Sequence, residues 1–267
     1  MIDRRHPGHA RHVGTCRTMA YWDTLPSTLQ RTGSVHRVEL KVQLDPEHQG
    51  GAEVAQLLGL AAGTGTVSEV YYLDNADRTL RRGGLVARAR LDGEGGADLV
   101  FKMRSPLPFP LPKAVRRLSR LAVELDALPH RTMWCASVKH LPRRSAVADT
   151  VRRGGSWHAV CSAEQQLFLR CLTGDPRAVK DLRPSGPIPV LKRTGRVPGL
   201  RRLTLESWQY PDGRQVLELS TKCRPEYSNR SAKALRRLLA AHGLAPASIQ
   251  QLKTETAMRY IDSGLRR

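Results

Sequence analysis

The sequence predicts an α+β fold: a β-sheet curled into a barrel with a charged interior, its outer side covered by helices. Three observations predict it. Several segments alternate apolar and polar residues with period two, the mark of a strand with two unlike faces. Their polar faces repeat Lys and Arg beside Glu and Asp, where a solvated face would mix in Ser, Thr, Asn and Gln. The opposite faces are apolar and need cover, and segments with helical spacing stand between the strands to provide it. A barrel with its charges inward satisfies all three.

The elements follow in order. Residues 1–33 carry His6, His9 and His12 among Arg, Pro and Gly without periodicity, and read as a disordered tail. His36 to Leu44 alternates strictly, with Val38, Leu40, Val42 and Leu44 on one side and Arg37, Glu39, Lys41 and Gln43 on the other. Residues 52–59 read as a helix ending on Gly59. Val70 to Leu73 leads into a turn, Asp74 to Asp77. Leu85 to Leu91 sets Ala87, Ala89 and Leu91 against Val86, Arg88 and Arg90. Leu99 to Arg104 sets Leu99, Phe101 and Met103 against Val100, Lys102 and Arg104. Ser105 to Pro112 is too proline-rich for a sheet interior and reads as a loop. Leu121 to Leu128 alternates with Glu124 and Asp126 on one face. Ser162 to Leu172 reads as a helix whose Ser162 and Gln165 fit a capping box. Arg183 to Pro189 reads as a second loop, and 113–190 as a helical and loop insertion. Leu203 to Tyr210 and Gln215 to Lys222 flank Pro211-Asp212-Gly213, a hairpin signal. Ser231 to His242 reads as a helix closed by Gly243, and Ser248 to Tyr260 as a last amphipathic helix.

Bulk composition narrows the class. Lys plus Arg number 44 against 24 acidic residues, a formal charge of +20 that favours polyanionic partners. No apolar run approaches the roughly 20 residues needed to span a bilayer, and Met1 to Thr32 has no apolar signal core. No membrane partner is expected. The five cysteines contain no CxxC pair, which argues against zinc and for a reducing cytoplasm.

Charges packed inside a barrel must be paired. Carboxylates can be neutralised by Mg²⁺ or Mn²⁺, which prefer oxygen ligands. Arg and Lys can be neutralised by phosphate oxygens. An interior holding both suits a metal–triphosphate.

Five motifs stand in order along 35–260: Arg37-Val38-Glu39-Leu40-Lys41; Tyr72-Leu73-Asp74-Asn75 with Leu80, Gly84 and Ala87-Arg88-Ala89-Arg90; Val100-Phe101-Lys102-Met103-Arg104; Glu124-Leu125-Asp126; and Val216-Leu217-Glu218-Leu219-Ser220 with Lys222 beyond. On these the chain resembles the CYTH superfamily, the triphosphate tunnel metalloenzymes, related to class IV adenylate cyclases and thiamine triphosphatases. The resemblance implies a closed or nearly closed antiparallel barrel of about eight strands over 34–262. It implies Mg²⁺ or Mn²⁺ on Glu39, Glu124, Asp126 and Glu218. The phosphate chain would be gripped by Lys41, Arg88, Arg90, Lys102, Arg104, Arg193 and Lys222, with Glu39, Lys41 and Glu218 as the catalytic set. Two positions depart from the pattern: Arg37 and Ser220 stand where the family carries acids that hold metal.

The expected function is metal-dependent hydrolysis of an inorganic or organic triphosphate. Its competitors are a degenerate tunnel that binds polyphosphate or nucleotide without turnover, and cyclisation of ATP. Nucleic acid is a further, less favoured partner, through Arg116, Arg117, Arg120, Arg143, Arg144, Arg152 and Arg153. His130, His140, His158 and His242 match no motif and read as structural.

Overall fold

The structure, a computed structural model, describes Trp22 and residues 25–32, 35–60 and 65–264. Nine strands alternate with helices: α1 (Leu25–Thr32), β1 (Arg37–Leu44), α2 (Gly51–Leu57), β2 (Thr66–Asp74), α3 (Thr79–Arg82), β3 (Leu85–Asp92), β4 (Ala97–Ser105), α4 (Lys113–Arg116) and β5 (Leu121–Ala127). Then come β6 (Thr132–His140), α5 (Arg144–Arg153), α6 (Trp157–Val160), α7 (Ala163–Thr173), β7 (Arg183–Val197), β8 (Leu200–Gln209), β9 (Gln215–Cys223), α8 (Ser228–Ala241) and α9 (Lys253–Gly264). The strands close into one barrel in the order β1-β5-β6-β4-β3-β2-β7-β8-β9.

The α+β class and the closed barrel agree with the sequence reading; the strand count and one pairing do not. The barrel has nine strands, and β1 lies parallel to β5, with Glu39 opposite Asp126. The proline-rich segment after β4 carries the chain past its hairpin neighbour, so β6 takes the place beside β4 and β5 joins β1. Parallel neighbours need such a crossover. The segment 113–190 therefore supplies barrel wall as well as α4 to α7. Residues 183–189, expected as a loop, open β7. Their prolines fit because the β2–β7 register shifts between Val70 and Tyr72, and prolines are tolerated at such bulges. Gly186 lies there at φ +136, where a Cβ would sit 2.7 Å from the Val70 carbonyl oxygen.

The expected outward faces are the buried ones. Val38, Leu40, Val42 and Leu44 are buried against the helical layer, as are Leu99, Phe101 and Met103. The capping box forms as read: Ser162 Oγ accepts from the Gln165 N–H at 3.2 Å, and Gln165 Oε1 accepts from the Ser162 N–H at 3.3 Å. Gln165 is itself buried and donates to the Leu99 and Val138 carbonyls at 2.8 and 3.2 Å, tying α7 to β4 and β6. Asp74 caps α3, accepting from the Leu80 and Arg81 amides at 3.1 Å each.

Both ends of the chain depart from expectation. The tail reading covers α1, which is a helix with Leu25 fully buried; Trp22 is buried too and donates to the Ala127 carbonyl at 3.2 Å. His6, His9 and His12 lie outside the described residues. The final helix begins at Lys253 because the preceding segment is tied to β1: Gln43 N–H donates to Gln250 Oε1 at 2.8 Å, and Gln250 Nε2 returns to the Gln43 carbonyl at 2.7 Å.

Register fixes two mouths. At one lie the starts of β1, β2, β4, β5 and β8 and the ends of β3, β6, β7 and β9. At the other, α9 packs Ala257 and Met258 against Val70, Tyr72, Ile188, Val190, Trp208 and Tyr210. The tunnel is thus closed at one end by its own C-terminal helix.

Candidate functional site

Alternation along each strand turns the charged residues inward. Glu39, Lys41 and Gln43 enter from β1, Arg88 and Arg90 from β3, and Asp98, Lys102 and Arg104 from β4. Glu124 and Asp126 enter from β5, Lys192 from β7, Glu206 from β8, and Glu218, Ser220 and Lys222 from β9. The helix α9 adds Lys253 from the closed end.

Two groups of charges result. In the first, the parallel pairing of β1 and β5 brings Glu39, Glu124 and Asp126 together, with one carboxylate oxygen of each within 4.8 Å of the others. Asp126 is wholly buried; its Oδ2 faces Lys102 Nζ at 3.1 Å, Arg104 Nη2 at 3.7 Å and Lys41 Nζ at 3.8 Å. Lys41 also meets Glu39 at 3.1 Å. Lys222, at the open mouth, meets Glu124 at 2.7 Å and Glu39 at 3.6 Å.

In the second group, Arg90 lies 3.6 Å from Glu206, and Lys253 bridges Glu206 and Glu218, the latter at 2.9 Å. Trp208 completes it: its Nε1–H donates to Glu206 at 3.1 Å, and its ring lies 5.4 Å from the Lys253 ammonium. At the rim, Asp98 pairs with Arg88 at 3.3 Å and Lys139 at 3.5 Å.

Titration follows this pairing. Burial would raise the Asp126 carboxyl, but Lys102, Lys41 and Arg104 outweigh it and hold the group well below the ordinary carboxylate range. Burial is likewise overcome at Glu39 by Lys41 and Lys222, and at Glu206 by Lys253 and Arg90. Lys41 is held well above its usual value: burial opposes this, and Asp126 and Glu39 prevail. Lys192 goes the other way, lowered by burial and then by Arg90. The Cys135 thiol, 3.4 Å from Asp126 Oδ2, is pushed up to about 11 by burial and then by that carboxylate.

Among the described residues, the buried tunnel atoms without a hydrogen-bonding partner include the Nε atoms of Arg88, Arg90 and Arg104, and Oδ1 of Asp126. A buried polar group normally finds a partner. Three orphan donors and one orphan acceptor on one cavity wall therefore mark a place for an anion and a cation.

Of the residues expected at the site, Glu39, Lys41, Arg88, Arg90, Lys102, Arg104, Glu124, Asp126, Glu218 and Lys222 all face the tunnel. Glu218 stands with Lys253, apart from the other three carboxylates. Arg193 does not face the tunnel. It has the outward parity of Leu191 and lines an external cleft of about 220 Å³ with Ser207 and Leu217. Reading 183–189 as a loop left β7 without a register, and its inward cation is Lys192, opposite Glu206. Sequence reasoning also missed Asp98, which one more step of the β4 alternation would have reached. Lys253 carried no signal, since helical spacing cannot show that a helix end enters a barrel.

No protein-family model matches the chain, and no curated protein matches its sequence. Solved structures do. HpAC1 from Hippeastrum, a candidate adenylyl cyclase with a dominant triphosphatase activity, superposes with a TM-score of 0.59 at 14% identity, over 86% of this chain and 96% of that one. A candidate adenylate cyclase from Bacillus halodurans superposes with a TM-score of 0.58 at 12% identity, over 83% and 97%. At such identities the likeness establishes the fold alone, a closed β-barrel covered by helices.

Proposed function

We propose that this chain, with its CYTH-type tunnel fold, binds the phosphate chain of a tri- or polyphosphate and hydrolyses the terminal anhydride with the help of a divalent cation. The observation that carries the proposal is the set of orphaned guanidinium Nε donors on Arg88, Arg90 and Arg104, buried inside a closed barrel. Phosphate oxygens satisfy such donors with charge assistance.

The carboxylates fit a cation. Glu39, Glu124 and Asp126 offer hard oxygen ligands within 4.8 Å of one another, and Asp126 Oδ1 has no other partner. That donor set suits Mg²⁺ or Mn²⁺, which retain waters where protein ligands are few. Bound there, the cation would offset charge on the phosphate oxygens. The chain's own residues do the rest. Arg88, Arg90, Lys102 and Arg104 hold and align the phosphates, and stabilise charge on the leaving oxygen as the P–O bond breaks. Lys41 stays protonated and acts as a fixed cation. Glu39 stays ionised at neutral pH and orients the attacking water by accepting its hydrogen bond. Lys222 guides the anion at the mouth.

One observation favours binding without turnover as a second reading. In the protein as it stands every carboxylate of the triad already has a lysine or arginine partner, and Glu218 is engaged by Lys253. Cyclisation of ATP is less favoured, because the large buried aromatics of the tunnel, Tyr72, Trp208 and Tyr210, stand at the closed end. Among the described residues no helix is long and apolar enough to cross a membrane.

The test is phosphate release from tripolyphosphate and from ATP with Mg²⁺ or Mn²⁺. Turnover lost in Lys102→Ala and Glu39→Gln is expected. Tight binding with no release under either metal would establish the second reading instead, and cyclic AMP would establish a cyclase.

A further inference from the structure

We infer that a basic groove on the outside of the barrel, beside the open mouth, is an exosite for the distal part of a long linear inorganic polyphosphate. The inference rests on the tunnel reading above, and it narrows the substrate class from triphosphates in general to long phosphate chains.

The groove is a cavity of about 430 Å³ lined by Gly199, Asn229, Arg230, Lys233, Ala234 and Arg237. Arg230, Lys233 and Arg237 recur at spacings of three and four residues, which places them on one face of α8. All three are exposed, the helix contains no acidic residue, and none of the three is in an ion pair among the described residues. Other exposed arginines do find carboxylates, as Arg153 does with Asp149 and Arg214 with Asp212. Like charges at this spacing repel, so the face is stabilised by an anion laid along it. Gly199 lets the β7–β8 turn close the groove: it sits at φ +79, and a Cβ there would meet the Ala234 Cβ at 3.3 Å.

Position links this groove to the tunnel. The β7–β8 turn and the end of β9 are both at the open mouth. Lys222, which faces that mouth, is separated from Arg230 by eight residues, a span of at most about 26–29 Å. An anion held by Lys222 and continuing outward therefore has Arg230, the first cation of that face, within this span. Chemistry selects the occupant. None of the six lining residues is aromatic, whereas single-stranded nucleic acids are held largely by stacking on aromatic side chains. A bare phosphate chain needs only cations.

The test compares affinities of the full chain, at one ionic strength, for tripolyphosphate, long-chain polyphosphate and an RNA oligonucleotide of matched charge. In the combined variant Arg230→Glu, Lys233→Glu, Arg237→Glu, the Kd for long-chain polyphosphate should rise about tenfold or more while tripolyphosphate binding stays within about twofold. The Gln versions of the three changes, checked by thermal melting, should give the same direction with a smaller effect. An unchanged long-chain Kd, equal losses for both phosphate ligands, or a groove dependence seen with RNA alone would each overturn the inference. A wild-type chain that binds no tripolyphosphate would instead overturn the tunnel reading.

Discussion

Asp126→Asn is the sharpest probe of the tunnel. The wild-type carboxylate is wholly buried and shared by Lys102, Arg104 and Lys41 at 3.1 to 3.8 Å. Asparagine keeps the volume and removes the charge, leaving three buried cations short of a counterion. Removing one partner of a buried ion pair costs about 3–5 kcal/mol. For a chain of this size about 1 kcal/mol moves the melting temperature by about 2–4 °C, so the variant should melt about 6–20 °C lower. The loss should depend on pH in a defined direction. Because the folded Asp126 is depressed, its stabilisation is fully present above the unfolded value of about 3.9 and is lost as pH falls through the folded value. The gap between the two proteins should therefore be constant from pH 5 to 8 and close in acid. Tripolyphosphate replaces the missing negative charge, so in metal-free buffer it should raise the melting temperature of the variant more than that of the wild type. Differential scanning fluorimetry over pH, with and without tripolyphosphate, reads all three effects. A drop below about 2 °C, smaller than a single ordinary interaction, or equal ligand shifts in both proteins, would refute the pairing described here.

Two further predictions concern α9 and Lys192. Lys253→Met removes the cation that holds α9 to Glu206 and Glu218. Amide exchange over Lys253–Gly264 should rise about a hundredfold, the equivalent of about 3 kcal/mol of local stability; a rise spread evenly over the barrel would contradict that anchoring role. Lys192 is depressed by burial and by its cationic neighbour Arg90, so a phosphate chain placed beside them should return its proton. Calorimetric titrations with tripolyphosphate over a series of alkaline pH values, in buffers of different ionisation enthalpy, should show proton uptake that disappears in Lys192→Met. Equal apparent enthalpies in all buffers would exclude it.

The inward face was readable wherever a strand carried strict alternation. β1, β3 and β4 read correctly because each places long cations or carboxylates against small or branched apolar residues. The same rule failed on β7, where prolines hide the alternation; the partner strand supplies the register that the local sequence lacks. It failed at β6 as well. There Trp134, Ala136 and Val138 face outward, but Cys135, Ser137 and Lys139 are too mixed to mark an interior face. The parallel β1–β5 pair was beyond local reading, because pairing is a long-range choice. The two departures from the family pattern also resolve in physical terms. Arg37 is exposed at the rim, outside the carboxylate triad. Ser220 lies across from Lys41 and Thr204, so an acid is absent there. The remaining acid of that motif, Glu218, is paired by Lys253, which stands 35 positions further along the chain and outside every motif, so the pairing is visible only in three dimensions.

The pairing inside the tunnel has a consequence for how its ligands would bind. Glu39, Glu124 and Asp126 are held by Lys41, Lys102, Arg104 and Lys222, so each set of charges is the other's counterion. On the proposed reading, a phosphate chain that claimed the cations alone would leave three clustered carboxylates without partners. A divalent cation that claimed the carboxylates alone would strand four basic groups. Either half-exchange leaves desolvated charge uncompensated, at several kcal/mol for each broken pair. Only the joint arrival of phosphate and metal exchanges both sets at once. The two ligands are then coupled, and by linkage each must strengthen the other's binding by the same factor. The closed barrel raises that coupling, because burial denies water the chance to solvate a half-exchanged intermediate. On that reading the tunnel would discriminate for a metal-complexed phosphate chain over either component, through the same buried ion pairs that hold the barrel interior together.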